Sequence, residues 1–219
     1  MGSLDWVSML RFLPGIIIGL TVHEFAHAAM AVRLGDPSPK EDGRFSLNPL
    51  RHIDIAGLAV LMIAGFGWAK PVRIDSARMG RPVRDGILTA LAGPFSNLAL
   101  AIALRALAWA ALAIEAGARR GGSGETFMLE VALVLLSGCY VNLGLFVFNL
   151  IPVPPLDGSH LYLWKLRSWD EDKALRIYKA GSLGLLVIII AQNRIGVDIL
   201  PIGPAVLGLF KAISSLFPL

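Results

Sequence analysis

The chain has 219 residues, of which 55% are hydrophobic and only 16% charged. Its mean hydropathy is +0.66, whereas a soluble domain of this length carries about a quarter charged residues. An ordinary water-soluble globule is therefore excluded, and the excess apolar surface calls for a bilayer as solvent. No polar stretch is long enough for a second soluble domain, so residues 1–219 read as one membrane-embedded unit. The net charge of +4 does not signal nucleic acid, because the basic residues lie in short loops between apolar runs. There they suit anionic headgroups and topology control. Cys139 is the only cysteine, so no internal disulfide is expected.

A spanning helix needs roughly 20 mostly apolar residues. The first run that meets this is about Phe12–Leu34. It does not read as a cleaved signal peptide, because Arg11 is the only basic residue before it and His23, Glu24 and His27 interrupt it. Next comes Ala56–Trp68, apolar but rich in glycine (Gly57, Gly65, Gly67). As a helix it would reach only about 20 Å, too short to cross. A re-entrant loop or hairpin buried among protein helices is expected, since lipid cannot satisfy its backbone. Two further spans follow, about Ile87–Ile114 and Phe127–Ile151. The last region, about Ala180–Phe217, is broken by Gln192-Asn193-Arg194, Asp198, Pro201 and Pro204. It reads as one span plus either a second span or a broken, re-entering helix. The expected fold is thus an all-α polytopic membrane protein: a three-helix core with one or two C-terminal spans.

Lys and Arg set the expected orientation. The connection from Leu34 to Asp85 and the one after Ile151 are rich in both, whereas the loop between Ile114 and Phe127 has only Arg119 and Arg120. The positive-inside rule places the two rich loops in the cytoplasm and the N-terminus outside.

The chemistry concentrates in His23-Glu24-Phe25-Ala26-His27. Residues four apart share one helix face, so both imidazoles can reach one metal ion. The glutamate between them can take a proton from a water that the metal activates. Three ionisable groups within five residues of a spanning helix are expensive unless they serve a site. Two histidines leave a tetrahedral zinc short of a protein ligand. His52, His160 and the carboxylates are candidates, and Asp157 has the best setting. Pro152, Pro154 and Pro155 end the third span, and Gly158 permits a tight turn, so the segment can fold back toward the helices. Asp157 could equally cap the helix that starts near Ser159.

Together, His-Glu-x-x-His in the first span and Asn149-x-x-Pro152-x-x-x-Leu156-Asp157-Gly158 at the end of a later one resemble the site-2 protease family of intramembrane metalloproteases. Gly93-Pro94-Phe95-Ser96-Asn97, Gly67-Trp68-Ala69-Lys70-Pro71 and Gly43–Pro49 are also similar to that family. The resemblance covers roughly Thr21 to Ser159. It implies that His23, His27 and Asp157 hold one zinc ion and that Glu24 is the catalytic base. It also implies hydrolysis of peptide bonds in or near transmembrane segments of a membrane-protein substrate. The likeness is to the compact branch, without a PDZ or nucleotide-sensing domain, and suggests a prokaryotic plasma membrane.

Asn97, Asn142 and Asn149 are polar positions in or at the end of spans. Asn97 and Asn149 are candidates for a place beside the metal, donating to a developing oxyanion, whereas Asn142 suits a helix-to-helix bond. His52, in a cytoplasmic loop, reads as structural or interfacial. Arg105 and Glu130 read as snorkelling to headgroups or pairing with each other. The Ala56–Trp68 loop could hold a substrate extended along a strand-like edge. A zinc-binding transporter, or a pseudo-protease that binds without cutting, are the alternative readings.

Overall fold

The computed structural model describes residues 6–57, 60, 69–120, 127–195 and 199–218. Helix α1 spans Trp6–Arg33, α2 is the single turn Ser38–Glu41, and α3 runs from Pro82 to Arg120. Helix α4 spans Phe127–Asn149, α5 His160–Arg167, α6 Glu171–Ile195 and α7 Ile202–Ser214. Four of these, α1, α3, α4 and α6, are long and apolar enough to cross a membrane. The fold is all-α and polytopic, as expected. Most of the Ala56–Trp68 loop lies outside the described residues.

Helices α1, α3 and α4 pack on one another as a three-helix core. Glycine sets how closely α1 meets α4. A Cβ on Gly15 would lie 2.4 Å from Gly138 Cα, and one on Gly19 would lie 2.6 Å from Asn142 Oδ1. Lipid tails are as apolar as leucine, so close packing through small residues holds such helices together. On the other side of α4, α7 packs through Val206 and Ile213 against Ala101, Cys139 and Leu143. With thirteen residues, α7 reaches only about 20 Å and cannot cross alone. The last apolar region is therefore one long helix followed by a short one.

Two expectations need correcting. Helix α6 starts at Glu171 rather than near Ala180. Arg105 and Glu130 do not pair: Glu130 binds Arg11 at 2.9 Å. Arg105, buried in α3, donates to Ser214 Oγ and to the Phe217 carbonyl just past α7, each at 3.0 Å. Its cation thus meets the carbonyl-rich end of a helix, where positive charge is favoured.

Residues 69–78 form a strap that leads from the loop back to α3. One end is clipped by an antiparallel bridge between Ile53 and Ala69 and by the Lys70 amide donating to the His52 carbonyl at 2.8 Å. His52 is fully buried and its Nε2 binds the Ser46 carbonyl, a structural role as expected. The other end is tied by Asp36, also fully buried, which accepts from the Ser38 amide at 2.9 Å and the Asp75 amide at 2.7 Å. Burial opposes the charge on Asp36, but the bonds from Ser38 and Asp75 and the nearby Arg78 outweigh it. The carboxyl is held below its ordinary value.

Two tests follow from this packing. Gly15→Ala should force α1 from α4 and destabilise the fold by about 1–3 kcal/mol, read as a lowered unfolding temperature in detergent. A depressed carboxyl contributes stability that is complete above the unfolded value of about 3.9 and lost as pH falls through the folded one. Protection of the Asp75 amide from hydrogen exchange should therefore drop in acid below about pH 4. In Asp36→Asn that protection should be weaker at neutral pH and lack this acid step.

Candidate metal centre

Gly15, Gly19, His23 and His27 succeed one another every fourth residue and form a single stripe along α1. The glycines admit α4, and the histidines continue the stripe into the space beyond. Both imidazoles are buried, each about 6% exposed. Gly93 in α3 makes room for them, since a Cβ there would lie 2.3 Å from His27 Nε2 and 2.7 Å from His23 Cε1.

Asp157 arrives from the far side. The segment after α4 turns through Pro152, Pro154 and Pro155, and Gly158 then passes so close to the end of α4 that a Cβ would lie 2.3 Å from the Leu150 carbonyl oxygen. The close approach, not an unusual φ, demands glycine here. The short 3-10 turn Asp157–Ser159 has no side-chain cap. Instead Asp157 Oδ2 lies 3.0 Å from His23 Nε2 and 3.4 Å from His27 Nε2, and the two Nε2 atoms are 3.0 Å apart.

The neighbours assign the protons. His27 Nδ1 faces the Thr89 carbonyl at 2.7 Å, and a carbonyl only accepts, so Nδ1 carries the hydrogen. His23 Nδ1 faces Asn97 Oδ1 at 2.6 Å. Asn97 Nδ2 is already turned to the Gly19 carbonyl and to Asn142 Oδ1, at 3.1 and 2.9 Å, so the oxygen is what His23 meets. In their neutral form both rings present a bare Nε2 lone pair, converging on a buried carboxylate oxygen that has no assigned hydrogen-bond partner. Three lone pairs in one dry space repel unless a cation lies between them. Donors about 2.0–2.1 Å from a tetrahedral zinc stand roughly 3.3 Å apart, which these separations approach. Among the described residues, His23, His27 and Asp157 are the one group of this kind.

Glu24, 9% exposed, turns to the side. Its Oε2 accepts from the Val72 amide at 3.2 Å, so the strap touches the carboxylate directly. Pro71 has no N–H, which makes Val72 the first donor after Lys70.

Of the other candidates, Asn97 meets His23, whereas Asn149 donates to the Leu145 carbonyl one turn back at 3.0 Å. His160 is not one of the converging ligands, and its ring lies 5.5 Å from that of Trp164. The sequence reading attached no role to Thr89, Val72 or the link from Asn142 to Asn97. Two of these work through backbone atoms, which residue type does not reveal. Gly93 was quoted only as part of a motif, although a glycine beside a spanning proline is itself a signal of close approach.

No family model matches the chain, and no solved structure matches it. Curated bacterial relatives do, three of them as follows. The "Putative zinc metalloprotease YwhC" of Bacillus subtilis is 38% identical over 153 residues, 67% of this chain and 64% of that protein. The "Putative zinc metalloprotease Rip2" of Mycolicibacterium smegmatis is 32% identical over 179 residues, 72% of this chain and 62% of the relative. Its namesake in Mycobacterium tuberculosis is 33% identical over 183 residues, 81% and 65% respectively. The chain thus spans a little under two-thirds of the length of the relatives it matches. The chain is thus similar to proteins named as zinc metalloproteases, and its stripe of two histidines answered by an aspartate from beyond α4 agrees with the resemblance to the site-2 protease family.

Proposed function

We propose that the chain is an intramembrane zinc metallopeptidase that hydrolyses peptide bonds in or near transmembrane segments of membrane-protein substrates. The carrying observation is the convergence of two bare imidazole nitrogens and a carboxylate oxygen within a buried helix core, with Glu24 beside them. The relatives' printed names support zinc as the ion and peptide hydrolysis as the reaction. The four apolar helices support a multi-pass membrane location, in our reading the plasma membrane of a prokaryote.

His23, His27 and Asp157 would hold the ion, each through one atom. Bound zinc supplies Lewis-acid chemistry, polarising a carbonyl and acidifying water. Glu24 takes the proton from the attacking water and passes it to the leaving amine. For that it must stay ionised and aimed, and the Val72 amide does the aiming by donating to Oε2. The buried wall of α1, α3 and α4 keeps bulk water from the ligands, which strengthens every electrostatic contact inside.

Gly93→Ala would push a methyl group against His27 Nε2. Zinc bound by the purified chain should fall by about tenfold or more, measured by metal analysis, while its helix content stays that of the wild type. Glu24→Gln should keep zinc and lose cleavage of a reconstituted transmembrane substrate by about a hundredfold or more. Zinc flux into vesicles that persists in Glu24→Gln, with no peptide products from either protein, would instead favour a transporter.

A further inference from the structure

Asn142 is fully buried in α4, where an unpaired amide would be costly. Its Nδ2 donates to the Gly138 carbonyl at 2.8 Å and to the Gly15 carbonyl at 3.3 Å. Carbonyls only accept, so the Asn142 amide has one orientation and its Oδ1 must face α3. There Oδ1 accepts from Asn97 Nδ2 at 2.9 Å. Asn97, also fully buried, gives its other hydrogen to the Gly19 carbonyl at 3.1 Å. That leaves Asn97 Oδ1 against His23 Nδ1 at 2.6 Å. Orientation thus passes from backbone carbonyls of α1 and α4, through two amides, to one imidazole.

We propose that Asn142 is a positioning residue for the metal centre: through Asn97 it holds His23 in the Nδ1–H tautomer and keeps the Nε2 lone pair free for the ion. A plain helix-to-helix bond would not care which end of either amide faced which way. Here direction is everything. If Asn97 turned over, its NH2 group would face His23 Nδ1, and the ring proton would move to Nε2, the nitrogen that a metal needs bare. Outer groups that fix a ligand's tautomer commonly govern metal affinity. The Gly15 carbonyl that orients Asn142 belongs to the residue whose missing side chain lets α1 reach α4. Helix approach and ligand tautomer are therefore set by one contact.

The proposal rests on the zinc reading above, but it is tested without substrate, so it stands or falls apart from whether the chain cuts peptides. Zinc affinity is measured by chelator competition on the full chain in detergent, and the His23 tautomer by 15N NMR of the zinc-free protein. Asn142→Leu fills the site and Asn142→Ala leaves a void, yet both remove the acceptor for Asn97. Each should weaken zinc binding by about 10- to 100-fold and move part of the His23 population to the Nε2–H form. In an Asn97→Asp background either carboxylate oxygen can accept from His23, so adding Asn142→Leu should cost no further affinity. Wild-type tautomer and affinity in a folded Asn142 variant would overturn the proposal. So would an equal loss of affinity from Asn142→Leu whether residue 97 is Asn or Asp, which is what a purely packing role predicts.

Discussion

The structure depends on how closely α1 approaches α4. Gly15 faces Gly138 and Gly19 faces Asn142 at distances that leave no space for a Cβ. The pair of buried core amides, Asn142 and Asn97, is built across that seam. The Asn142 amide reaches the Gly15 carbonyl, and Asn97 reaches the Gly19 carbonyl, only because the helix backbones are bare there. A larger side chain would also screen these carbonyls, and buried amides without partners would then oppose assembly. In a bilayer, where helix association has little hydrophobic drive of its own, one tight seam and its hydrogen bonds act together.

The same seam explains why the histidines lie where they do. They extend the glycine stripe by one and two further steps of four residues, so close contact gives way to a small polar chamber at a fixed depth. Gly93 repeats the device from α3: a missing side chain makes space, and a neighbouring polar group uses it. The Thr89 carbonyl, one turn before Gly93, accepts from His27, and Pro94 in the same helix releases the Ala90 carbonyl rather than this one. Prolines are tolerated in such helices because surrounding groups satisfy the released backbone.

Much of this was legible from residues alone, and the limits were physical. The two histidines stood out because helix period is a local property, whereas the proline break gave Asp157 a suitable setting and only the family resemblance implied it over a helix cap. Hydropathy located the bilayer-crossing stretches but not the helix ends. Helix α3 begins at Pro82 and ends at Arg120, beyond the apolar run on both sides, because polar turns outside the lipid continue the helix. For the same reason α6 starts at Glu171, where Glu171, Asp172 and Lys173 hide a helix that only later becomes apolar. Partners were the least legible feature. Arg105 and Glu130, charges in neighbouring spans, suggested snorkelling or a mutual pair, yet each binds a segment more than 100 positions away. Sequence shows that a buried charge needs a partner, not which element brings it. Asn142 looked like a simple interhelical bond; only its two carbonyl partners reveal that the bond has a direction.

The proposed metal ligands and the proposed base are held by different means, and the difference has a mechanical meaning. His23 and His27 are fixed on a packed helix by buried bonds that water cannot contest, and Asp157 is set by the close passage of Gly158 against the end of α4. Glu24 takes its hydrogen bond from the strap, which is not a core element. Arg73 with Asp42 and Arg78 with Glu41 tie the strap through exposed ion pairs, and such pairs contribute little in water and less in salt. Its firm attachments are the His52 carbonyl at one end and the Asp36 carboxylate at the other. Val72 lies between them, two residues from Lys70 and three from Asp75. So short a tether allows the amide little travel, and Glu24 stays aimed although nothing packs the strap as tightly as the helices. Two buried groups remote from the proposed metal centre therefore set the geometry of the Glu24 carboxylate.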